Sequence, residues 1–268
     1  MMASRPVSGR NAMYLITAYL LASASYFVGT RSVTKSNGCS EQPRSSSEKE
    51  FIRGPFHHKC PSIARSKNFT QNVTEWFSVF GGDAKRHAHH HYLDDKSTVV
   101  EIGGYTGVDI KALRALYGNF HVLLFEPIFF REAAVNLQSL ANIQIFPYGV
   151  GSVQRHEYFQ LTGDATRPGK GDGARKAEIR NFLTVLSSLN VHRVDLLQVN
   201  CEGCEWEVLE VALKSPKLFR HIQVQFHSGA EWVPDRLDRY SRILDALSQT
   251  HTLIFDVPWV WQMWKLDS

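Results

Sequence analysis

Hydrophobic and polar positions follow two different periods along the chain from residue 97 onward. Short runs of β-branched and aliphatic residues, typical of buried strands, alternate with longer stretches whose apolar residues recur at helical spacing. Parallel strands covered by helices on both faces produce this alternation. We therefore predict an α/β fold with a mostly parallel, doubly wound sheet over residues 97–268. Strands are predicted at residues 98–102, 121–125, 143–148, 194–199, 222–226 and 252–255, and helices at residues 108–117, 131–140, 206–213 and 234–247.

The amino-terminal part of the chain has a different pattern. Residues 11–30 are uncharged and lie between Arg10 and Arg31. A stretch of this kind is typical of a signal peptide or of a signal anchor that spans a bilayer. We predict such a segment at residues 1–30 and a polar stem with a lead-in helix at residues 31–96. The main domain would then lie in the lumen of the endoplasmic reticulum or Golgi as part of a single-pass membrane protein, or be secreted.

Other features of the amino-terminal part fit that compartment. Asn68 and Asn72 each begin a sequon for N-glycosylation without proline at its middle position. Cys39 and Cys60 flank polar sequence and are candidates for a disulfide in an oxidising compartment. The histidine-rich run at residues 86–91 shows no ordered pattern of metal ligands, so we predict a solvated loop and no metal site.

Charge adds little to this picture. The chain has 30 Lys and Arg residues against 26 Asp and Glu residues, a formal net charge of +4. The basic residues form no stripe interleaved with aromatic side chains, which argues against a nucleic-acid partner.

The segment after the first predicted strand is the first candidate site. Glu101 is followed by Gly103, Gly104 and Gly107, and ligands of doubly wound sheets bind beyond the carboxyl ends of the strands. Glycines there let the backbone turn and approach a ligand. Tyr105 stands where a dinucleotide fingerprint has its second glycine, which disfavours NAD. An acid beside loop amides instead suits a ligand with both an amino group and a carboxylate, such as S-adenosylmethionine.

A second acid, Glu126, follows the second predicted strand. It lies about 20 residues beyond the glycine loop, where a carboxylate can accept hydrogen bonds from the two ribose hydroxyls of an adenosine. Glu101 and Glu126 together therefore favour a ligand that contains a nucleoside.

Four segments, taken in chain order, resemble the FkbM family of methyltransferases: residues 99–107, 125–127, 148–151 and 195–205. Within that family the chain is similar to the animal methyltransferase-like proteins that carry secretion signals. The resemblance implies a Rossmann-like, class I methyltransferase fold with S-adenosylmethionine as cofactor. It also implies a hydroxyl oxygen of a glycan or small metabolite as methyl acceptor. Carried over to this chain, the resemblance implies that the methionine part of the cofactor is bound by Glu101, Gly103, Gly104 and Gly107. The ribose would be bound by Glu126, and the adenine would lie near Gly149 and Val150.

Proton removal from the acceptor is the chemical step that needs a further residue, because an alcohol is a poor nucleophile until a base takes its proton. The family pattern has an aspartate where this chain has Asn200, and an amide cannot serve as that base. We predict Glu202, His227 and Glu205 as catalytic candidates, with Glu202 or His227 as the base. Structural alternatives are a charge at a helix amino terminus for the glutamates and a hydrogen-bonded core histidine for His227.

Two cysteines lie within the last of these segments. Cys201 and Cys204 form a C-x-x-C motif, but there is no second pair to complete a zinc site, and the layout is not that of a thioredoxin. We interpret them as small residues that pack at a strand–helix junction, with a local disulfide as the alternative.

The carboxyl-terminal part is rich in tryptophan. Trp232, Trp259, Trp261 and Trp264 suit either sugar stacking or core packing, and we favour core packing. Little chain follows Trp264, so we expect an incomplete last edge of the sheet.

The sequence thus predicts an S-adenosylmethionine-dependent O-methyltransferase. A catalytically inactive methyltransferase fold that acts as a lumenal binding module is the alternative raised by Asn200. A dehydrogenase on the same fold is disfavoured by the glycine pattern.

Overall fold

A computed structural model describes Asn72, Thr74 and residues 76–162, 165–227 and 230–268 of the chain. The predicted signal or anchor segment at residues 1–30 lies outside the described residues, as do Asn68, Cys39 and Cys60. None of the helices that the structure describes is long and apolar enough to cross a membrane.

Strands and helices alternate through most of the described chain, as the hydrophobic pattern predicts. In chain order the elements are a π-helix (Trp76–Phe80), α1 (Gly82–His87), β1 (Thr98–Ile102), α2 (Val108–Tyr117), β2 (His121–Phe125), α3 (Phe130–Leu137), β3 (Ile143–Phe146), β4 (Gly149–Gly151), β5 (Arg155–Thr162), β6 (Ala165–Pro168), β7 (Arg175–Asn181), α4 (Phe182–Ser188), β8 (Leu196–Val199), α5 (Glu205–Ala212), a 3-10 turn (Pro216–Leu218), β9 (His221–Val224), α6 (Arg236–Leu247), β10 (His251–Val257) and β11 (Trp261–Leu266).

The larger sheet has seven strands in the order β10–β11–β9–β8–β1–β2–β3. Five of them are parallel: β1, β2, β3, β8 and β9. β11 runs antiparallel to both β9 and β10. The predicted mostly parallel sheet is therefore confirmed. Its strand order reverses between β1 and β8, and ligands of such sheets bind at that reversal.

Helices cover both faces of this sheet, which makes it doubly wound as predicted. Neighbouring side chains on a strand point to opposite faces, so Val99 and Val100 enter different hydrophobic clusters. The Val99 cluster also includes side chains of α2 and α3, whereas the Val100 cluster includes side chains of α4, α5 and α6. The two clusters together form the core of the domain.

A smaller sheet, not foreseen from the sequence, lies between β3 and α4 in the chain. Its strand order is β4–β7–β5–β6, with β4 and β7 parallel and the other pairs antiparallel. Glu207 of α5 connects it to the main domain, because Arg155 of β5 donates two hydrogen bonds of 2.9 and 2.8 Å to the Glu207 carboxylate. Most side chains of β5 are exposed or only half-buried, so these strands lack the apolar runs that predicted the main sheet.

The segment before β1 belongs to the folded unit from Trp76 onward. Trp76 and Arg86 are 2% and 1% exposed, and Arg86 contacts residues of α2 and β8. The predicted boundary at residue 97 is therefore too late. The prediction of a solvated loop at residues 86–91 is also wrong for part of that run, since His87 and His90 are buried as well.

The aromatic carboxyl-terminal segment completes the sheet instead of leaving its edge open. Trp261 and Trp264 lie in β11, which inserts between β9 and β10. Trp259, Trp261 and Trp264 are at most 5% exposed, so core packing is confirmed for these three. The expected incomplete edge is wrong, because six residues suffice for a strand that pairs on both sides.

Candidate active site

The carboxyl ends of β1 and β8 meet at the glycine loop. Gly103 has φ +79°, and a Cβ there would come within 2.0 Å of the carbonyl oxygen of Asn200. Gly107 has φ +81° and directly precedes α2, and a Cβ there would come within 2.6 Å of Leu137. Both positions thus require glycine. The reason visible in the structure is close packing of the loop on β8 and α3, and Gly104 packs in the same way on Leu124.

Glu101 places a buried carboxylate directly beside this loop. The side chain is 3% exposed, and its Oε1 accepts a hydrogen bond of 3.0 Å from Nε2 of Gln198 on β8. Its Oε2 is buried and has no hydrogen-bond partner among the described residues. Burial, with a further contribution from the charge of Asp109, raises the pKa of Glu101 well above its ordinary value. An unsatisfied buried carboxylate oxygen of this kind is suited to receive a cationic donor such as an amino group.

Glu126, the predicted ribose ligand, is largely committed to the main chain. Its Oε1 accepts hydrogen bonds from the backbone amides of Ile128 (2.8 Å) and Phe129 (3.0 Å), and its Oε2 accepts one from Tyr105 (2.8 Å). The carboxylate therefore ties the glycine loop to the loop after β2. One of its roughly four acceptor positions remains for a ligand.

Gly149 and Val150, predicted to lie near an adenine, are strand residues of the smaller sheet. Val150 is 2% exposed and belongs to the hydrophobic core, so its side chain is not available to a ligand. A Cβ on Gly149 would come within 2.7 Å of Ile179. Tyr148 packs on Phe125 at the adjoining end of β2. Any ligand contact by Gly149 or Val150 would have to come from the main chain.

Glu202, Glu205 and His227, which we predicted as catalytic candidates, are brought together by the structure. Nε2 of His227 lies 3.3 Å from Oε1 of Glu202, and Nδ1 of His227 lies 3.2 Å from Oε1 of Glu205. Burial disfavours the charged imidazole, but the two carboxylates outweigh that effect and raise the pKa of His227 well above its ordinary value. The ring is therefore a cation at neutral pH.

That charge changes the expected roles of the three residues. A protonated imidazole has no lone pair with which to accept a proton, so the geometry does not support His227 as the base. Glu205 is fully buried and accepts hydrogen bonds from the backbone amides of Gly203 and His227, both at 2.8 Å. It is therefore a positioning residue. The Glu202 side chain is 35% exposed, compared with 16% for His227 and 0% for Glu205. Of these three side chains, Glu202 therefore has the most access to solvent.

The loop that carries Glu202 is held in an unusual conformation. Cys201 and Cys204 form a disulfide, which settles the alternatives for these cysteines in favour of a local bridge. Inside it, Glu202 has φ +54° and Gly203 φ +107°. Non-glycine residues with positive φ are uncommon and often mark functional loops. Trp232 covers the loop, because a Cβ on Gly203 would come within 2.8 Å of its Nε1.

Arg86, His87 and Asp109 are the site residues that sequence analysis missed. Nη2 of Arg86 lies 2.8 Å, and Nε2 of His87 3.0 Å, from Oδ1 of Asp109. Nε2 of Gln198 donates to the other oxygen of Asp109 at 2.9 Å, which joins this cluster to Glu101. The only signal in the sequence was the density of titratable residues at 86–91. Among the described residues, no group of three or more His, Cys, Asp and Glu side chains is arranged to hold a metal ion.

Neither a protein-family model nor a curated protein matches the chain. Solved structures with a distantly similar fold include the methyltransferase FkbM from Methylobacillus flagellatus KT, with 11% identity and a TM-score of 0.43 over 65% of this chain and 44% of that one. The METTL16 MTase domain has 14% identity and a TM-score of 0.40 over 78% and 70% of the two chains. A precorrin-6y C5,15-methyltransferase from Geobacter metallireducens GS-15 has 9% identity and a TM-score of 0.37 over 63% and 70%. Because the match covers 44% of the FkbM methyltransferase, the chain spans less than half the length of that protein.

Proposed function

We propose that the chain is an S-adenosylmethionine-dependent methyltransferase that methylates a hydroxyl oxygen of a glycan or a small metabolite. The observation that carries this proposal is the buried carboxylate of Glu101, whose Oε2 has no partner among the described residues. It lies beside the glycine loop at the strand-order reversal, where doubly wound sheets bind their ligands.

The residues at this edge fit the proposed donor. Oε2 of Glu101 would accept a hydrogen bond from the donor's amino group, and the remaining acceptor position of Glu126 would serve a ribose hydroxyl. The main-chain amides of the glycine loop are the candidates for the donor's carboxylate. When bound, the donor supplies a methyl group on a positively charged sulfur.

Glu202 is the residue that would take the proton of the acceptor hydroxyl. The His227 cation lowers the pKa of Glu202 although burial opposes this, so the carboxylate is ionised at neutral pH and can accept a proton. A carboxylate with a lowered pKa is a weak base. Much of the rate acceleration would therefore come from holding the two reactants together in line.

Donor binding by the full chain tests this proposal. Calorimetry should show binding of S-adenosylmethionine and S-adenosylhomocysteine but not of NAD, and Glu101→Gln should weaken donor binding about tenfold or more, the worth of a charge-assisted hydrogen bond. Gly103→Ala should weaken it too, whereas Gly173→Ala should not. Gly173 also has a positive φ (+75°), but no heavy atom beyond its two chain neighbours lies within 4 Å of the position a Cβ would take.

Turnover separates the enzyme from the binding module. Incubation with methyl-labelled donor and a pool of glycans and hydroxylated metabolites should yield a labelled, alkali-stable product. Binding of NAD without the methyl donor would overturn the methyltransferase proposal. Normal donor binding without any turnover would favour the inactive binding module raised by Asn200.

We also propose that the domain works in the secretory pathway, either secreted or anchored by residues 11–30. The sequons and the uncharged segment support this proposal, and the Cys201–Cys204 disulfide is compatible with an oxidising compartment. Of the two sequons, we propose Asn68 as the acceptor because Asn72 is buried. The Asn72 side chain is 5% exposed, and its Nδ2 donates a 3.1 Å hydrogen bond to the carbonyl of Pro258, so a glycan there would have no room.

A further inference from the structure

Arg86 is a buried cation that comes from the segment before the sheet. Its side chain is 2% exposed and stacks on the ring of Trp261 at 4.0 Å. The guanidinium donates to Asp83 (2.9 Å) and Asp109 (2.8 Å), and Nη1 lies 3.4 Å from Oε1 of Gln198. A buried cation is costly unless it is paired. The contacts of Arg86 therefore tie α1 to α2 through Asp109, to β8 through Gln198 and to β11 through Trp261.

Gln198 links Arg86 to Glu101. Its Oε1 faces Arg86 and also accepts a 3.1 Å hydrogen bond from Gln223. Because donors occupy the amide oxygen, the amide NH2 must point the other way, towards Glu101 (3.0 Å) and Asp109 (2.9 Å). Arg86 therefore helps to orient the side-chain amide of Gln198, which donates to Oε1 of Glu101. Oε2 of Glu101 is left without a partner among the described residues.

Burial and, in second place, the charge of Asp109 raise the pKa of Glu101, and the guanidinium of Arg86 is paired with Asp109. Asp109 is held ionised by Arg86 and His87 although burial opposes this, so its pKa is lowered. Glu101 faces Asp109 from α2, Arg86 from α1, Gln198 from β8, and Glu126 from the loop after β2, and His87 of α1 contacts Asp109. His90 is also near Arg86, but burial lowers its pKa to about 3, so it adds no charge at neutral pH. Oε2 of Glu101 has neither a cation nor any other hydrogen-bond partner among the described residues.

We propose that Arg86 is a positioning residue of the donor site: it neutralises Asp109 and, through Gln198, sets Glu101 to receive the cationic amino group of the donor. This inference rests on the proposed methyl-donor function. It makes the segment before the sheet part of the donor site, although that segment was expected to be a stem.

The test compares donor affinity of the full chain and its variants across pH, by calorimetry with S-adenosylhomocysteine. Wild-type affinity should rise with pH as Glu101 ionises, because the ionised carboxylate binds the amino group. In Arg86→Met, Asp109 loses its arginine partner and the two acids share a proton, so affinity should fall about tenfold or more and the midpoint of the pH profile should move to higher pH. Arg86→Lys keeps the charge and should restore the midpoint in part.

Arg114→Met is the matched control. Arg114 is also a buried arginine, 6% exposed, that donates to the carbonyl of Gly118 and stacks on Phe120, away from Glu101. Its loss should lower thermal stability but leave the pH midpoint unchanged. If Arg86→Met does not fold, Arg86→Lys carries the test, with a reduced affinity and a midpoint above that of the wild type.

The outcomes separate the two proposals. A wild-type chain that does not bind the donor overturns the methyltransferase proposal and this inference with it. A wild-type chain that binds, with an affinity and a pH midpoint that the Arg86 variants leave unchanged, overturns only the role of Arg86. A shift of equal size in Arg114→Met would reduce Arg86 to a general structural residue and also overturn the inference.

Discussion

Four glutamates follow or end strands at the carboxyl edge of the sheet, and their side chains have different tasks. Glu126 and Glu205 accept hydrogen bonds from main-chain amides of neighbouring loops and hold those loops together. Glu101 keeps one oxygen without a partner among the described residues, and Glu202 is 35% exposed. Hence Glu101 and Glu202 have the most freedom to contact ligands, and Glu126 keeps one of its roughly four acceptor positions.

Glu202→Gln tests the assignment of the base. It should lower turnover about 10²–10⁴-fold, the usual contribution of positioned proton transfer, and change donor affinity only a few-fold. The acid limb of the wild-type rate profile should lie below the ordinary pKa of a glutamate, because the His227 cation lowers the pKa of Glu202 although burial opposes this. Steady-state rates across pH, together with calorimetry, measure both effects.

Glu210→Gln is the control for that variant, since Glu210 lies exposed on α5 and pairs with Arg239 at the surface. It should leave turnover near the wild-type value, as exposed ion pairs contribute little. If Glu202→Gln also stays within a few-fold of the parent, Glu202 is not the base and reactant positioning alone carries the reaction.

At the scale of elements, the loop between β8 and α5 depends on its disulfide. The bridge from Cys201 to Cys204 encloses the two positive-φ residues, Glu202 and Gly203. Closing so short a loop restricts the unfolded chain by about 2 kcal/mol on the chain-entropy estimate. It also keeps Glu202 beside His227, so the bridge serves both stability and the geometry of the site.

Reduction of this bridge should therefore lower the free energy of unfolding by about 2 kcal/mol. Turnover should fall as well, while donor affinity changes little, because Glu101 lies on a different strand. Urea unfolding and rates with and without reductant measure these effects in a Cys39→Ser, Cys60→Ser background, where Cys201 and Cys204 are the remaining cysteines. Equal rates in the oxidised and reduced forms would show that the loop holds its shape without the bridge.

At the scale of the whole molecule, the folded unit begins before the sheet. Arg86 and Trp76 pack on the main domain, and Asn72 donates a hydrogen bond to Pro258 near its carboxyl-terminal end. The stem predicted at residues 31–96 is therefore shorter than the sequence indicates, and the Asn72 sequon begins at a buried side chain.

Expression in animal cells tests the secretory assignment and the proposed acceptor at Asn68 together. The chain should enter the secretory pathway and lose apparent mass on treatment with a glycosidase. Asn68→Gln should abolish the mass shift, whereas Asn72→Gln should leave it unchanged, because the Asn72 amide is buried in the folded chain. A cytosolic, unglycosylated product that retains residues 11–30 would contradict the assignment.

The sequence by itself determined the parallel part of the sheet and the loops at its edge. β1 and β2 lie where their apolar runs predicted them, because a strand buried on both faces is apolar along most of its length. Gly103 and Gly107 have the positive φ that a sharp strand-to-helix turn requires. Glu101, Glu126 and Glu202 could be placed at one edge because the carboxyl ends of parallel strands lie together.

Only the tertiary structure decided which of these groups remain available to a ligand, since that depends on partners far away in the chain. Glu126 is occupied by the amide of Tyr105, His227 is charged by two carboxylates, and Arg86 is buried against α2 and β8. The smaller sheet and β11 likewise depend on pairing with distant strands, and the local pattern of their residues does not predict it. The local periodicity of a sequence indicates which residues are buried, but it does not indicate which distant part of the chain covers them.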